Sequence, residues 1–142
     1  MRDKKESMKR LLSIAALLLC VYFCAIAQAI PVWVRDVKIS VSEADNTKGA
    51  IIVQIRNSSS KRLCYGDYYR LEVFVENQWV EVKASLMWND LLYIVDEGES
   101  ITHDFPVHIH LDSGLYRFTF FFRDYDDGEK FIEHSVTYEF EI

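Results

Sequence analysis

Asp112-Ser-Gly-Leu-Tyr-Arg-Phe-Thr-Phe-Phe-Phe-Arg123 is the stretch on which the fold of this chain turns. Side chains of an extended segment alternate with period two. Tyr116, Phe118, Phe120 and Phe122 therefore fall on one face, and Leu115, Arg117, Thr119, Phe121 and Arg123 on the other. One face is wholly aromatic and the other mixed, the pattern of a central strand packed against a second sheet. The lead-in Asp112-x-Gly114-x-Tyr116 has the spacing of a tyrosine corner, in which the tyrosine hydroxyl bonds back to backbone a few residues upstream.

The flanking sequence reads as further strands. Residues 31–42 form a first one, with Val37, Ile39 and Val41 alternating against Lys38, Ser40 and Ser42. After a polar turn over 43–49, residues 50–57 form a second, with Ile51, Val53 and Ile55 inward. Residues 57–62 are a loop whose Asn and Ser side chains hydrogen-bond their own backbone. Within it Asn57-Ser58-Ser59 matches a glycosylation sequon, which matters only in a eukaryote.

A third strand over 69–76 puts Tyr69, Leu71, Val73 and Val75 on one face, and Asn77-Gln78 turns it into a short fourth over 79–83. Residues 91–95 are a brief apolar strand between turns at 88–90 and 97–99. Residues 100–109 follow with Ile101, His103 and Phe105 in phase. Pro106 has no N–H to donate, so this strand lies at an edge or breaks there. Residues 124–129 make a hairpin loop with an Asp-Gly signal, and residues 131–142 close the sheet with His134, Val136, Tyr138, Phe140 and Ile142 inward. Seven or so strands at roughly ten-residue spacing, with no helix among them, indicate one antiparallel β-sandwich.

The N-terminus reads differently. Residues 1–10 are basic, residues 11–27 are apolar, and Ala27-Gln28-Ala29 supplies small residues at the two positions a signal peptidase inspects. Residues 1–29 thus read as a signal peptide cleaved after Ala29, with Ala27 next in order. The apolar run is also long enough to span a bilayer as an uncleaved signal anchor, which would hold the N-terminus inside. Lipoprotein processing needs a small residue before the acceptor cysteine, and Leu19 before Cys20 and Phe23 before Cys24 fit badly. Every route exports residues 30–142 as one domain, secreted, periplasmic or at the cell surface. Membrane attachment is expected only if the segment is retained.

The whole chain carries 16 basic against 22 acidic side chains, a net charge of −6. From residue 30 onward the count is 11 against 20, a net charge of −9. Such a domain repels nucleic acid and anionic lipid. Of three cysteines, Cys20 and Cys24 lie in the leader, so Cys64 has no partner for an internal disulfide. Cys64 reads as a half-buried small apolar residue before a turn. The core alone must hold the fold, and an aromatic content of 14% is suited to that.

The succession Gly49-Ala-Ile-Ile-Val-Gln-Ile-Arg-Asn57, Cys64-Tyr-Gly-Asp-Tyr-Tyr-Arg-Leu-Glu-Val73, Gln78-Trp-Val-Glu-Val82, Asp96-Glu-Gly-Glu-Ser100 and Ser113-Gly-Leu-Tyr-Arg117 resembles the bacterial Ig-like domains of exported and lipid-anchored proteins. The resemblance covers nearly all of residues 30–142. Ser113 stands where that family usually has proline, and the poor fit of Leu19-Cys20 and Phe23-Cys24 to a lipid-attachment signal sets the chain apart from the lipid-anchored relatives. The resemblance implies an immunoglobulin-like sandwich and an exported location, and it brings no catalytic residues with it.

Four constellations bear on chemistry. His108-x-His110 puts two imidazoles on one side of an extended segment, and His103 or His134 would have to supply a third zinc ligand. Asp124, Asp126, Asp127 and Glu129 surround Gly128 with oxygen donors of the kind calcium takes, without the EF-hand order. Neither is a complete site, so no metal or other cofactor is expected. No phosphate loop, nucleophile elbow or HExxH helix is present, and nothing positions Cys64 against a histidine, so no enzyme is expected. The fourth is a binding face. Phe74, Phe121 and Phe131 share the outward phase of three strands with Arg117, Arg70, Glu72 and Glu133, an apolar patch ringed by charge. The expected function is an exported, non-enzymatic module that binds a protein or envelope component through this face or its end loops. A purely structural role and a calcium- or zinc-dependent domain are the rivals.

Overall fold

A computed structural model of the chain describes residues 30–45, 49–84, 91–126 and 132–142. The expected signal segment, the turn at 88–90, and Asp127, Gly128, Glu129 and Phe131 lie outside the described residues. Nine strands are present among them, arranged as two antiparallel sheets. They are β1 (Val37–Asp45), β2 (Ala50–Asn57), β3 (Leu63–Tyr65), β4 (Tyr69–Val75), β5 (Gln78–Val82), β6 (Tyr93–Val95), β7 (Ser100–Pro106), β8 (Leu115–Asp124) and β9 (His134–Glu141).

The smaller sheet has the order β1-β2-β7. The larger one is organised on β8, which takes β9 along one edge over Leu115 to Phe122 and β4 then β3 along the other. β5 extends the sheet beyond β4, and β6 extends it beyond β3. All four aromatic residues of the inward phase of β8, Tyr116, Phe118, Phe120 and Phe122, are buried. Ile51, Val53 and Ile55 of β2 are fully buried opposite them, as is Phe105 of β7. Phe105 meets Phe118 edge-on at 5.1 Å between centroids, and Phe118 stacks on Tyr69 at 5.2 Å. The Tyr69 hydroxyl donates to the carbonyl of Pro106 at 2.7 Å, a direct tie between the sheets. The buried core lies wholly between Val34 and Phe122, so residues 31–142 enclose it as one unit.

The first expected strand begins later than its alternation suggests. Residues 32–36 form a 3-10 turn, because Pro31 sets the entry angle and its carbonyl accepts the Val34 N–H at 3.0 Å. This lets Trp33 fold down on Phe122 and His134, at 6.0 and 4.9 Å. The strand then runs to Asp45, with an irregularity between Val41 and Glu43. β7 stops at Pro106 and does not reach residue 109, since the missing N–H ends the ladder, and it lies at the edge of its sheet. The hairpin loop between β4 and β5 is Glu76-Asn77, one residue earlier than expected, and both residues take positive φ, 47° and 67°. In β9 Val136 and Phe140 pack on the core, as does Ile142 just beyond it, but Tyr138 is exposed because its strand ends the sheet.

β3 is a strand that alternation does not announce. Cys64 sits inside it, half-buried, pairing with Ile94 and Arg123 just ahead of the bend at Asp67. Leu63 opposes Asp124 and Tyr69 opposes Phe120, six steps along β3–β4 against four along β8. The excess is taken up at Gly66-Asp67-Tyr68. Two extra residues preserve side-chain parity where one would reverse it. Asp67 therefore turns inward to meet His103 Nε2 at 3.0 Å, while Tyr68 turns outward.

Candidate interaction face

The outer face of the larger sheet is assembled from the outward phases of β5, β4, β8 and β9. The pairings Phe74↔Trp79, Glu72↔Arg117 and Arg117↔Glu139 bring residues far apart in sequence side by side. Cross-strand neighbours on one face are close enough to interact directly. Phe74 packs on Trp79 with centroids 5.1 Å apart, and Phe121 packs on Tyr68 at 4.8 Å. Between these two ring pairs lies an ionic bridge. Arg117 donates two hydrogen bonds to Glu72, from Nε at 2.9 Å and from an η nitrogen at 2.8 Å, and its guanidinium lies 4.4 Å from the Trp79 ring centroid. Arg70 approaches the same carboxylate at 3.7 Å and reaches toward the Phe121 ring at 5.8 Å.

The face is thus one continuous line from Phe74 to Tyr68, rings at the ends and charge in the middle. Phe74 is 40% and Tyr68 43% exposed, so both ends present apolar surface to solvent. A bidentate Arg–carboxylate pair with its cation stacked on a ring has few alternative rotamers, which lowers the ordering cost of binding. Phe74, Phe121 and Arg117 all lie on this face. Trp79 and Tyr68 join it without having been expected. Trp79 is opposite Phe74 only because the hairpin turns at Glu76-Asn77, and Tyr68, one step before the inward Tyr69, faces out by alternation and meets Phe121 through the β4–β8 register.

The hydrogen bonds from Arg117 hold the Glu72 carboxyl below the ordinary glutamate range, against the effect of its partial burial and with added attraction from Arg117 and Arg70. A carboxyl with a depressed folded-state pKa stabilises the fold above its ordinary titration range, and that contribution is lost as pH falls through the depressed value. Glu72→Gln is therefore expected to melt below the wild type at neutral pH. The difference should close once acid protonates Glu72, below its ordinary value of 4.5. Melting curves of the two proteins from neutral to strongly acidic pH check this, and a gap that persists in acid would refute it.

The remaining candidates fall elsewhere. The Tyr116 hydroxyl donates to the carbonyl of Asp112 at 2.8 Å, and Gly114 exchanges two backbone hydrogen bonds with Ile142, both 3.0 Å. These bonds tie the lead-in of β8 to the end of β9. His108 and His110 are exposed on the loop after Pro106, His103 is turned in against Asp67, and His134 packs on Trp33. Asp124 pairs with Lys61 at 2.8 Å, and Asp126 accepts from Arg62, whose guanidinium also covers Tyr125 at 4.4 Å. These two carboxylates clamp the loop leading into β3. Among the described residues no group of three or more His, Cys, Asp or Glu side chains is placed to hold a metal ion. Burial pushes the Cys64 thiol up, against the pull of Arg123, so it is protonated at neutral pH and is no ready nucleophile.

None of the curated proteins compared with this chain matches it. The family model described as a bacterial Ig-like domain matches residues 33–140, nearly the whole of the sandwich. With the two antiparallel sheets and the Tyr116–Asp112 bond, that match shows the chain to be a member of the bacterial Ig-like domain family.

Proposed function

We propose that this protein is an exported, non-enzymatic module that binds a protein or envelope component through the outer face of β5, β4, β8 and β9. The observation that carries the reading is the half-exposed Phe74–Trp79 and Tyr68–Phe121 pairs, with the Arg117–Glu72 bridge packed on Trp79 and Arg70 reaching toward Phe121. Aromatic and arginine side chains are the residue types that dominate binding energy at protein interfaces. Family membership supports the non-catalytic character, and such domains commonly occur in extracellular or surface proteins. Residues 1–29 supply the export signal in this reading, so the mature protein begins at Ile30.

The test is chemical cross-linking of the exported protein in its own envelope, followed by mass spectrometry, with Phe121→Arg as the comparison. Phe121→Arg places a charge in the apolar half of the face without touching the core. It is expected to lose a wild-type cross-link at least about tenfold while melting within about 1 kcal/mol of the wild type. Identical cross-links from both proteins would reject the face and leave a structural role.

A further inference from the structure

We propose that β5 is a pairing edge for a second copy of this chain, in an antiparallel two-fold arrangement centred on Val80. β5 ends the larger sheet, and no strand among the described residues pairs with its other edge. Natural edges are usually guarded by Lys, Pro, a bulge or an inward charge. β5 is Gln-Trp-Val-Glu-Val and has none of these, its one charge, Glu81, being on the outer face. The hairpin that carries it is apolar on both faces, with Phe74 40% exposed on the outer side and Val75 46% and Val80 43% exposed on the inner.

The backbone selects the register. Glu76-Asn77 is a two-residue turn with both φ values positive, so the flanking pair Val75↔Gln78 is a hydrogen-bonded one. Such pairs alternate along an antiparallel ladder. Val80 therefore directs its N–H and C=O to Val73 in β4, and Trp79 and Glu81 direct theirs to the open edge. Setting Val80 against the partner's Val80 places Trp79 opposite the partner's Glu81, and the reverse, which makes two doubly bonded pairs.

Charge favours the same register and the same occupant. Glu81 lies directly across from Glu72 within its own sheet, a like-charge neighbour whose cations, Arg117 and Arg70, are already engaged. Pairing with a second copy sets Glu81 across from the partner's Trp79, so that no like charge faces it on the new edge. Moving the register two residues in one direction would oppose Glu81 to its own copy. Moving it the other way would draw Asn77, at φ 67°, into the ladder. The self-complementary register is the one that meets all three conditions. It would join the outer faces of two copies into one surface.

Sedimentation equilibrium of the 31–142 unit from micromolar to millimolar concentration is the test. The wild type should move toward twice the monomer mass. Glu81→Pro removes an edge-facing N–H and leaves the β4 ladder intact, since proline is tolerated at an edge. Val80→Lys leaves the backbone unchanged and opposes two like charges at the two-fold centre. Each should weaken association at least about tenfold. A wild type that stays monomeric throughout would overturn the proposal. Variants that dimerise as the wild type does would also overturn it. Phe121→Arg lies away from the edge and should dimerise normally, so the binding reading and this one fail separately.

Discussion

Phe118→Ala should lose about 3–5 kcal/mol of folding stability, the largest effect expected from any single side chain in the sandwich. Phe118 is fully buried at the middle of β8, stacked on Tyr69 of β4 and met edge-on by Phe105 of β7. Truncation removes the transfer free energy of the ring and leaves a cavity between two sheets. Backbone ladders hold β8 between β4 and β9 in one sheet and β7 against β2 in the other, so the sheets cannot close over the void. With no disulfide among the described residues and total stability on the order of 5–15 kcal/mol, such a loss is a large fraction of the whole. For a domain of this size each kcal/mol moves the melting temperature by roughly 4–8 °C. Urea unfolding of the 31–142 unit measures it. A loss below about 1 kcal/mol would show that Phe118 is not at the centre of the core, whereas Phe121→Ala on the outer face is expected to stay within that bound.

Asn57→Ala is expected to cost about 3 kcal/mol, far more than a typical loop asparagine. Asn57 is completely buried at the end of β2. Its Nδ2 donates to the carbonyls of Lys61, Asp96 and Val95 at 2.7, 3.0 and 3.2 Å, and its Oδ1 accepts from the N–H and hydroxyl of Ser59 at 3.1 and 2.6 Å. The neighbouring backbone adds bonds from the Asn57 N–H to Glu99 and from Gly98 back to the Asn57 carbonyl. One amide therefore joins the loop into β3 to the turn between β6 and β7. Alanine would strand several buried carbonyls and the Ser59 N–H, each of which costs about 1–3 kcal/mol when left unpaired. Asn57→Asp has the same shape but turns a donor into an acceptor facing three carbonyls, so it should destabilise at least as much at neutral pH. Thermal melts of both variants provide the check. If Asn57→Asp melted with the wild type, the orientation of this amide would be wrong. The same burial removes the sequon from consideration, because Nδ2 is fully engaged in the folded domain.

The sequence alone determined the features that a single strand can announce. The aromatic phase of β8, the apolar phase of β2 and the outward position of Phe74, Phe121 and Arg117 all follow from alternation. Alternation is a local property of extended backbone and needs no knowledge of neighbours. The order of strand-like segments then identified a sandwich, and the spacing of Asp112 and Tyr116 pointed to a bond that the fold makes. β3 is not legible because its three residues are too short to show a period and, unlike the equally short β6 in the apolar run 91–95, it is flanked by Lys61-Arg62 and Gly66-Asp67. The 3-10 turn over 32–36 escaped because Trp33 obeys a packing demand from Phe122 and His134, about a hundred residues on, and not the alternation of its own segment. The makeup of the candidate face belongs to tertiary structure for the same reason. Trp79 and Arg117, Tyr68 and Phe121, and Asp67 and His103 are brought together by strand order and by the irregularity before β4. Parity states which way each side chain points. Only register states what it points beside.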